Sequence, residues 1–157
     1  MRLLPLVISL SAFVANVSAD YSIKVITHNG MNVTSRALYN TIEIGSKDSY
    51  QYWDFHQVLG AKDWIYFGLS DYFIRFREYH TGAIALADNT PSLFRVEKDA
   101  DATYLITTET DPSGQKLAWT AEHNDTNPNG NMIVKLRPYD RGSSQRFDIR
   151  DYTVPDD

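Results

Sequence analysis

The residues best equipped for chemistry gather late in the chain. Trp119 is followed by a polar stretch from Glu122 to Asn131 that holds Glu122, Asn124, Asp125, Asn127 and Asn129, and Tyr139 comes shortly after. An indole face can take the C–H side of a sugar ring, while amides and carboxylates placed by a loop satisfy the hydroxyls. This combination fits a shallow site with Trp119 as stacking platform and Tyr139 as a second aromatic wall. The same residue types also fit a buried Trp119 beneath a solvated, Asn-rich turn, because Trp is highly buried on average; the expectation taken is the exposed platform.

Other chemistries find less support. The four histidines, His28, His56, His80 and His123, show no metal-ligand spacing such as His-x-x-x-His. The chain has no cysteine, which removes thiol nucleophiles and Cys-ligated zinc. Serines fall in turn-like stretches without Gly-x-Ser-x-Gly, and the plentiful Asp and Glu single out no pair for glycoside hydrolysis. The expectation is a binding protein with no catalytic residues, metal or cofactor. A formal charge of −5 with no basic stripe also argues against nucleic acid, whose binding depends on releasing counterions with Lys and Arg.

Residues 1–19 read as a secretory signal peptide. Arg2 supplies the positive start, Leu3 to Val14 an apolar run too short to span a bilayer, and Val17-Ser18-Ala19 a small-residue cleavage site. What remains, residues 20–157, is long enough for one domain with a real core and contains no second apolar stretch of membrane-spanning length. The expected location is extracellular. Without disulfides, such a fold must be held by burial and backbone pairing alone. Sequons at Asn32-Val33-Thr34 and Asn124-Asp125-Thr126 are expected in surface loops, as glycosylation requires.

The elements that must position these residues read as strands and turns. Tyr21–Ile26 alternates and stops at His28-Asn29-Gly30, a tight-turn signal. Arg36–Tyr39 and Thr41–Ile44 resemble two short strands, and Tyr50–Val58 another. Phe73 and Ile74 blur the alternation of Tyr72–Arg77, and Leu69, Phe73 and Phe76 also fit helical spacing. The aromatic and Ile content, bracketed by Ser70-Asp71 and Gly82, favours a strand. Further strands are expected at Gly82–Leu86, Leu93–Glu97, Thr103–Thr108, Lys116–Thr120, Met132–Leu136 and Gln145–Ile149, with turns at Asp111–Gly114 and in the Glu122–Asn131 loop.

A turn residue, an aromatic, a charged residue and a large apolar residue recur in alternation around Trp53, Phe94 and Phe147. These anchors are spaced by roughly 40–50 residues, close to known repeat periods. Twelve short strands in three groups of four then predict an all-β fold, a β-trefoil of three four-stranded units with pseudo-threefold symmetry. The units are expected near Tyr21–Val58, Lys62–Lys98 and Thr103–Thr153, with the three aromatics as core. A sandwich of the same strand count is the structural alternative.

The chain resembles the ricin B-type lectin family, whose hallmark is Gln-x-Trp near the end of each unit. Gln51-Tyr52-Trp53 matches it, Gln145-Arg146-Phe147 matches in part, and Ser92-Leu93-Phe94 keeps only the aromatic position. The likeness extends over most of Asp20–Tyr152. It implies a trefoil fold and glycans or glycoproteins as partners. It departs where the family commonly places a sugar-binding Asp after Gly-x-x-Leu, because Leu117 is followed here by Ala118. Other secreted β-trefoils resemble the layout and block proteases with a rigid exposed loop, for which Asp111–Gly114 and Glu122–Asn131 are candidates. An extracellular protease is therefore the alternative partner, and a protease inhibitor the alternative function.

Overall fold

The computed structural model describes residues 21–35, 37–45, 51–125 and 131–152. The apolar N-terminal run lies outside these residues, as do Asn127 and Asn129. Twelve strands occur among the described residues. They are β1 (Tyr21–His28), β2 (Met31–Thr34), β3 (Glu43–Gly45), β4 (Trp53–Val58), β5 (Ala61–Leu69) and β6 (Tyr72–Arg75). They continue as β7 (Leu86–Asp88), β8 (Arg95–Lys98), β9 (Tyr104–Thr110), β10 (Lys116–His123), β11 (Met132–Pro138) and β12 (Asp148–Asp151). Short 3-10 segments occupy Ala100–Ala102 and Ser143–Gln145. No described helix is long and apolar enough to cross a membrane.

Local chemistry explains the first hairpin. Asn29 and Gly30 both take positive φ, 50° and 74°, as a two-residue turn matched to right-handed strand twist demands. That turn fixes the register His28 opposite Met31 and Thr27 opposite Asn32. The ambiguous stretch around Phe73 is extended: β6 pairs with β5 through Gly68–Phe73 and Leu69–Tyr72. Several expected strands start late or stop early: β6 ends at Arg75, β8 starts at Arg95, and β12 starts at Asp148 with Gln145 in the preceding 3-10 segment. Two others are largely replaced. Residues 37–39 form a turn, and the Gly82–Leu86 stretch has a bridge at Ile84 and scattered backbone bonds to Leu136, Val134 and Ile42 before β7 begins at Leu86.

The expected trefoil is corrected by the strand order. The hydrogen-bonded path runs β7-β6-β5-β4-β1-β2-β3-β11-β10-β9-β8, with β12 attached to β1. This is one curled, antiparallel sheet of eleven strands in a half-barrel, with β12 off the path, and not three four-stranded units. Pairing passes straight across the boundaries drawn from sequence. β4 pairs with β5 between the expected first and second units, and β3 pairs with β11 between the first and third. The recurring aromatic pattern marks where a strand has an inward face. It carries no information about which strand lies beside it.

The interior of the curl is aromatic. Trp53, Phe67, Phe94, Trp119 and Phe147 are fully buried, together with Ile26, Ile42, Ile44, Ile74 and Leu136. Trp119 stands among four phenyl rings, those of Phe67, Phe76, Phe94 and Phe147. The centroid separations are 5.1–6.4 Å and every interplanar angle exceeds 60°, an edge-to-face geometry that suits the ring quadrupoles.

The residues two places before the recurring aromatics share one task, which is to hold loop backbone. Gln51 accepts from Ser35 N and donates to Ser35 O at 3.0 Å. Ser92 Oγ accepts from Phe76 N at 2.9 Å. Gln145 accepts from Asp140 N and Arg141 N at 3.0 and 3.2 Å, and donates to Pro138 O at 2.8 Å. The recurrence in the sequence therefore encodes a local device for securing loops against the sheet.

Candidate functional site

The residues singled out around Trp119 do not assemble. Trp119 has no exposed surface, so the expected stacking platform is a core residue, and the correction follows from the four rings that enclose it. Its strand, β10, is buried on both faces from Leu117 to Ala121, so alternation cannot turn the indole outward. Glu122 is engaged by cations: Arg137 donates through Nε and, at 2.7 Å, through Nη2, while Lys135 Nζ stands 3.3 Å away. Hydrogen bonding by Arg137 holds the Glu122 carboxyl below the usual Glu range, against the opposing effect of burial. Tyr139 lies under Lys116, whose Nζ is 4.2 Å from the ring centroid, and donates its hydroxyl to Glu97 at 3.2 Å. Asn124 is half-buried just after β10, and Asp125 is exposed. Asn127 and Asn129 fall outside the described residues.

The first sequon is also corrected. Asn32 lies within β2 and is 1% exposed, whereas glycosylation needs an accessible amide on a surface loop. The second sequon reaches beyond the described residues at Thr126. Among the described residues, no group of three or more His, Asp or Glu is placed to hold a metal ion.

A different constellation forms where the turn after β2 meets β6 and β7. Tyr39 adopts φ 65° and is 53% exposed. Backbone bonds fasten its turn to the neighbouring segment: Tyr39 N donates to Ala87 O at 2.7 Å, Ala87 N to Asn40 O at 2.9 Å, and Ile42 N to Ala85 O at 2.9 Å. The left-handed conformation is unfavourable for a bulky residue, and this clamp holds it. Asn89 Nδ2 donates to the Tyr39 hydroxyl at 3.0 Å.

Asp88, at the end of β7, organises the rest. Its side chain is only 11% exposed, and it accepts from Asn89 N at 2.7 Å. Arg75 Nη1 stands 3.7 Å and Arg77 Nε 3.5 Å from its two carboxylate oxygens. Arg75 also donates to Thr90 Oγ1. The Arg77 guanidinium lies 5.9 Å from the Tyr39 ring centroid, within cation–π range. The result is an open aromatic ring beside two guanidinium groups and an amide, each tied by a hydrogen bond, ion pair or stacking contact.

Sequence reasoning missed this group because Arg36–Tyr39 read as strand and Asp88–Pro91 as an ordinary loop. One signal was present: Arg75 and Arg77 sit two apart, a spacing that directs both side chains of an extended segment the same way. Nothing in the sequence brings Tyr39 to Asn89, 50 residues on.

A second exposed feature is the turn Asp111–Gln115. The Asp111 carboxylate accepts from the Ser113 hydroxyl, from Ser113 N at 2.8 Å and from Gln115 N at 2.9 Å. Gly114 N donates to Asp111 O at 2.9 Å. These bonds, the Ser113 hydroxyl first and the Gln115 N–H next, hold the Asp111 carboxyl below its ordinary value. Pro112 to Gln115 are all exposed. No protein-family model matches the chain, and no curated protein matches it.

Proposed function

We propose that this is a secreted, non-enzymatic carbohydrate-binding protein that holds its sugar against Tyr39. The observation that carries the reading is an exposed tyrosine ring pinned in a left-handed turn, with Asn89 on its hydroxyl and Arg77 beside its face. Pinning matters because a pre-ordered side chain loses little entropy when a ligand arrives. More than half of Tyr39 stays open to receive the C–H face of a sugar.

The test is a glycan array read with the wild-type chain and Tyr39→Ala. Wild type is expected to bind a subset of glycans, and the variant to lose about tenfold or more in affinity, equal to ~1.4 kcal/mol. Its melting temperature should scarcely move, because an exposed ring contributes little burial and Ala at φ 65° carries comparable backbone strain. Undiminished binding by Tyr39→Ala, or an array without a positive glycan, would end this reading.

One observation favours a second reading, an inhibitor of an extracellular protease. The Asp111–Gln115 turn is exposed, Pro-bearing and braced by its own side chain, as a loop that must enter an active site without rearranging would be. A panel of serine and cysteine proteases, with Asp111→Ala as the loosened variant, decides it. Inhibition by wild type that weakens in the variant supports the reading, and absence of inhibition across the panel removes it.

A further inference from the structure

We infer that the Tyr39 site takes an anionic saccharide, one bearing a carboxylate or sulfate group, and that Arg77 is the residue that selects it. The inference rests on the carbohydrate-binding reading of Tyr39 and deepens it by naming the ligand class.

Guanidinium groups dominate the site's donors, and its one carboxylate is already engaged. A neutral sugar is gripped most strongly where a free carboxylate accepts from its hydroxyls. Asp88 is the carboxylate at hand, yet it is almost buried and its oxygens already face Arg75, Arg77 and the Asn89 N–H. Asp88 therefore works as the internal counter-ion that positions two guanidinium groups. Two guanidinium groups thus face the single carboxylate that holds them, on a chain whose formal charge is −5.

Arg77 is the more available of the pair, with 58% of its side chain exposed. Its Nε stands 3.5 Å from Asp88 Oδ2, beyond a direct hydrogen bond's usual length. A guanidinium's planar fork of donors matches the two oxygens of a carboxylate or two of a sulfate. The Tyr39 ring lies beside that fork at 5.9 Å. A pyranose on the ring would thus bring an acidic substituent within reach of Arg77. An inorganic anion could use the fork alone and would gain nothing from the ring.

The experiment is calorimetric titration of the full chain with three matched oligosaccharides: neutral, carboxylated (uronic acid) and O-sulfated. Free sulfate and acetate serve as controls. At least one acidic oligosaccharide is expected to bind tenfold or more tighter than the neutral one, with the advantage shrinking as salt is raised. Which acidic oligosaccharide wins distinguishes a carboxylate source from a sulfate source. In Arg77→Gln the acidic-over-neutral ratio should fall at least tenfold. Arg77→Lys, which keeps the charge and loses the fork, should fall between the two. Melting curves of both variants verify folding.

A neutral oligosaccharide bound as tightly as the acidic ones, or a ratio unchanged in Arg77→Gln, would overturn the inference while leaving sugar binding intact. Free sulfate or acetate bound as tightly as the acidic saccharide would overturn it as well, because the ring would then contribute nothing. If none of the three oligosaccharides binds, the carbohydrate reading itself falls.

Discussion

Replacing Trp53 and Trp119 by Phe, one at a time, should damage the protein unequally even though both indoles are fully buried. Phe keeps a ring in place at each position, so the lost volume and most of the packing loss are matched. The difference lies in the indole N–H. Trp53 Nε1 donates to Val33 O at 2.9 Å, a buried bond worth ~1 kcal/mol net. Trp119 Nε1 is buried with no hydrogen-bond partner among the described residues. An N–H stranded in this way costs about 1–3 kcal/mol of desolvation, and Phe removes that cost. Trp53→Phe should therefore be less stable than Trp119→Phe by at least ~2 kcal/mol. For a domain of this size that is about 8 °C in melting temperature. Urea unfolding at constant m-value is the appropriate assay, because a changed m would signal a changed denatured state instead. Equal losses, or a larger loss at Trp119, would refute the reasoning and show that the Trp119 N–H is satisfied after all.

Two further outcomes follow from the same geometry. Gln145→Ala should cost about 3–4 kcal/mol in urea unfolding. Four hydrogen bonds, from Asp140 N and Arg141 N and to Pro138 O and Thr120 Oγ1, are lost at a residue 1% exposed, at ~1 kcal/mol each. A loss under ~1 kcal/mol would mean the loop does not depend on it. Acidification should destabilise the fold in two stages. Burial lowers the His56 pKa below 6.5, against the pull of Asp54. The unfolded chain is then protonated first as pH falls below 6.5, and the stability present above that value is lost as pH drops through the folded pKa. Glu97 and Glu122 are depressed below 4.5, chiefly by hydrogen bonds from Lys116 and Arg137, so their contribution is present above 4.5 and is lost below it. Melting temperatures from pH 7.5 to 3 check both stages. His56→Gln should flatten only the upper one, and an unchanged slope there would exclude His56 as the cause.

Much of the local structure was written plainly in the chain. Asn29-Gly30 specified its turn because two adjacent positive-φ positions accept few other residue pairs. Trp53, Phe94 and Phe147 are core as expected, Trp53 within β4 and the other two at single bridges just ahead of β8 and β12. Strand partners were not legible. The register of β3 against β11 depends on chain segments almost ninety residues apart, and period-2 alternation gives a face without a neighbour. Trp119 was misjudged for a related reason. Its strand is buried on both sides, and the polar loop that follows advertises solvent without showing which way the indole turns.

The candidate site was hidden by the same gap, and its position in the fold explains why. Tyr39 is held open because its turn is docked on the segment that becomes β7, through Tyr39 N to Ala87 O and Ala87 N to Asn40 O. Arg75 and Arg77 reach it because β6 pairs with β7, setting Ile74 opposite Ala87 and Phe73 opposite Asp88. Each contributor is unremarkable in its own segment: a short turn, a strand end, a polar loop. Their chemistry emerges only when the sheet curls and brings a turn from the start of the chain against strands from its middle. If that docking were loosened, Tyr39 could relax from its left-handed conformation and the Arg77 fork would lose its aromatic neighbour, although no residue of the site had changed. The proposed recognition at this seam would therefore be coupled to the docking of that turn, through backbone hydrogen bonds that need only an N–H at residues 39, 42 and 87.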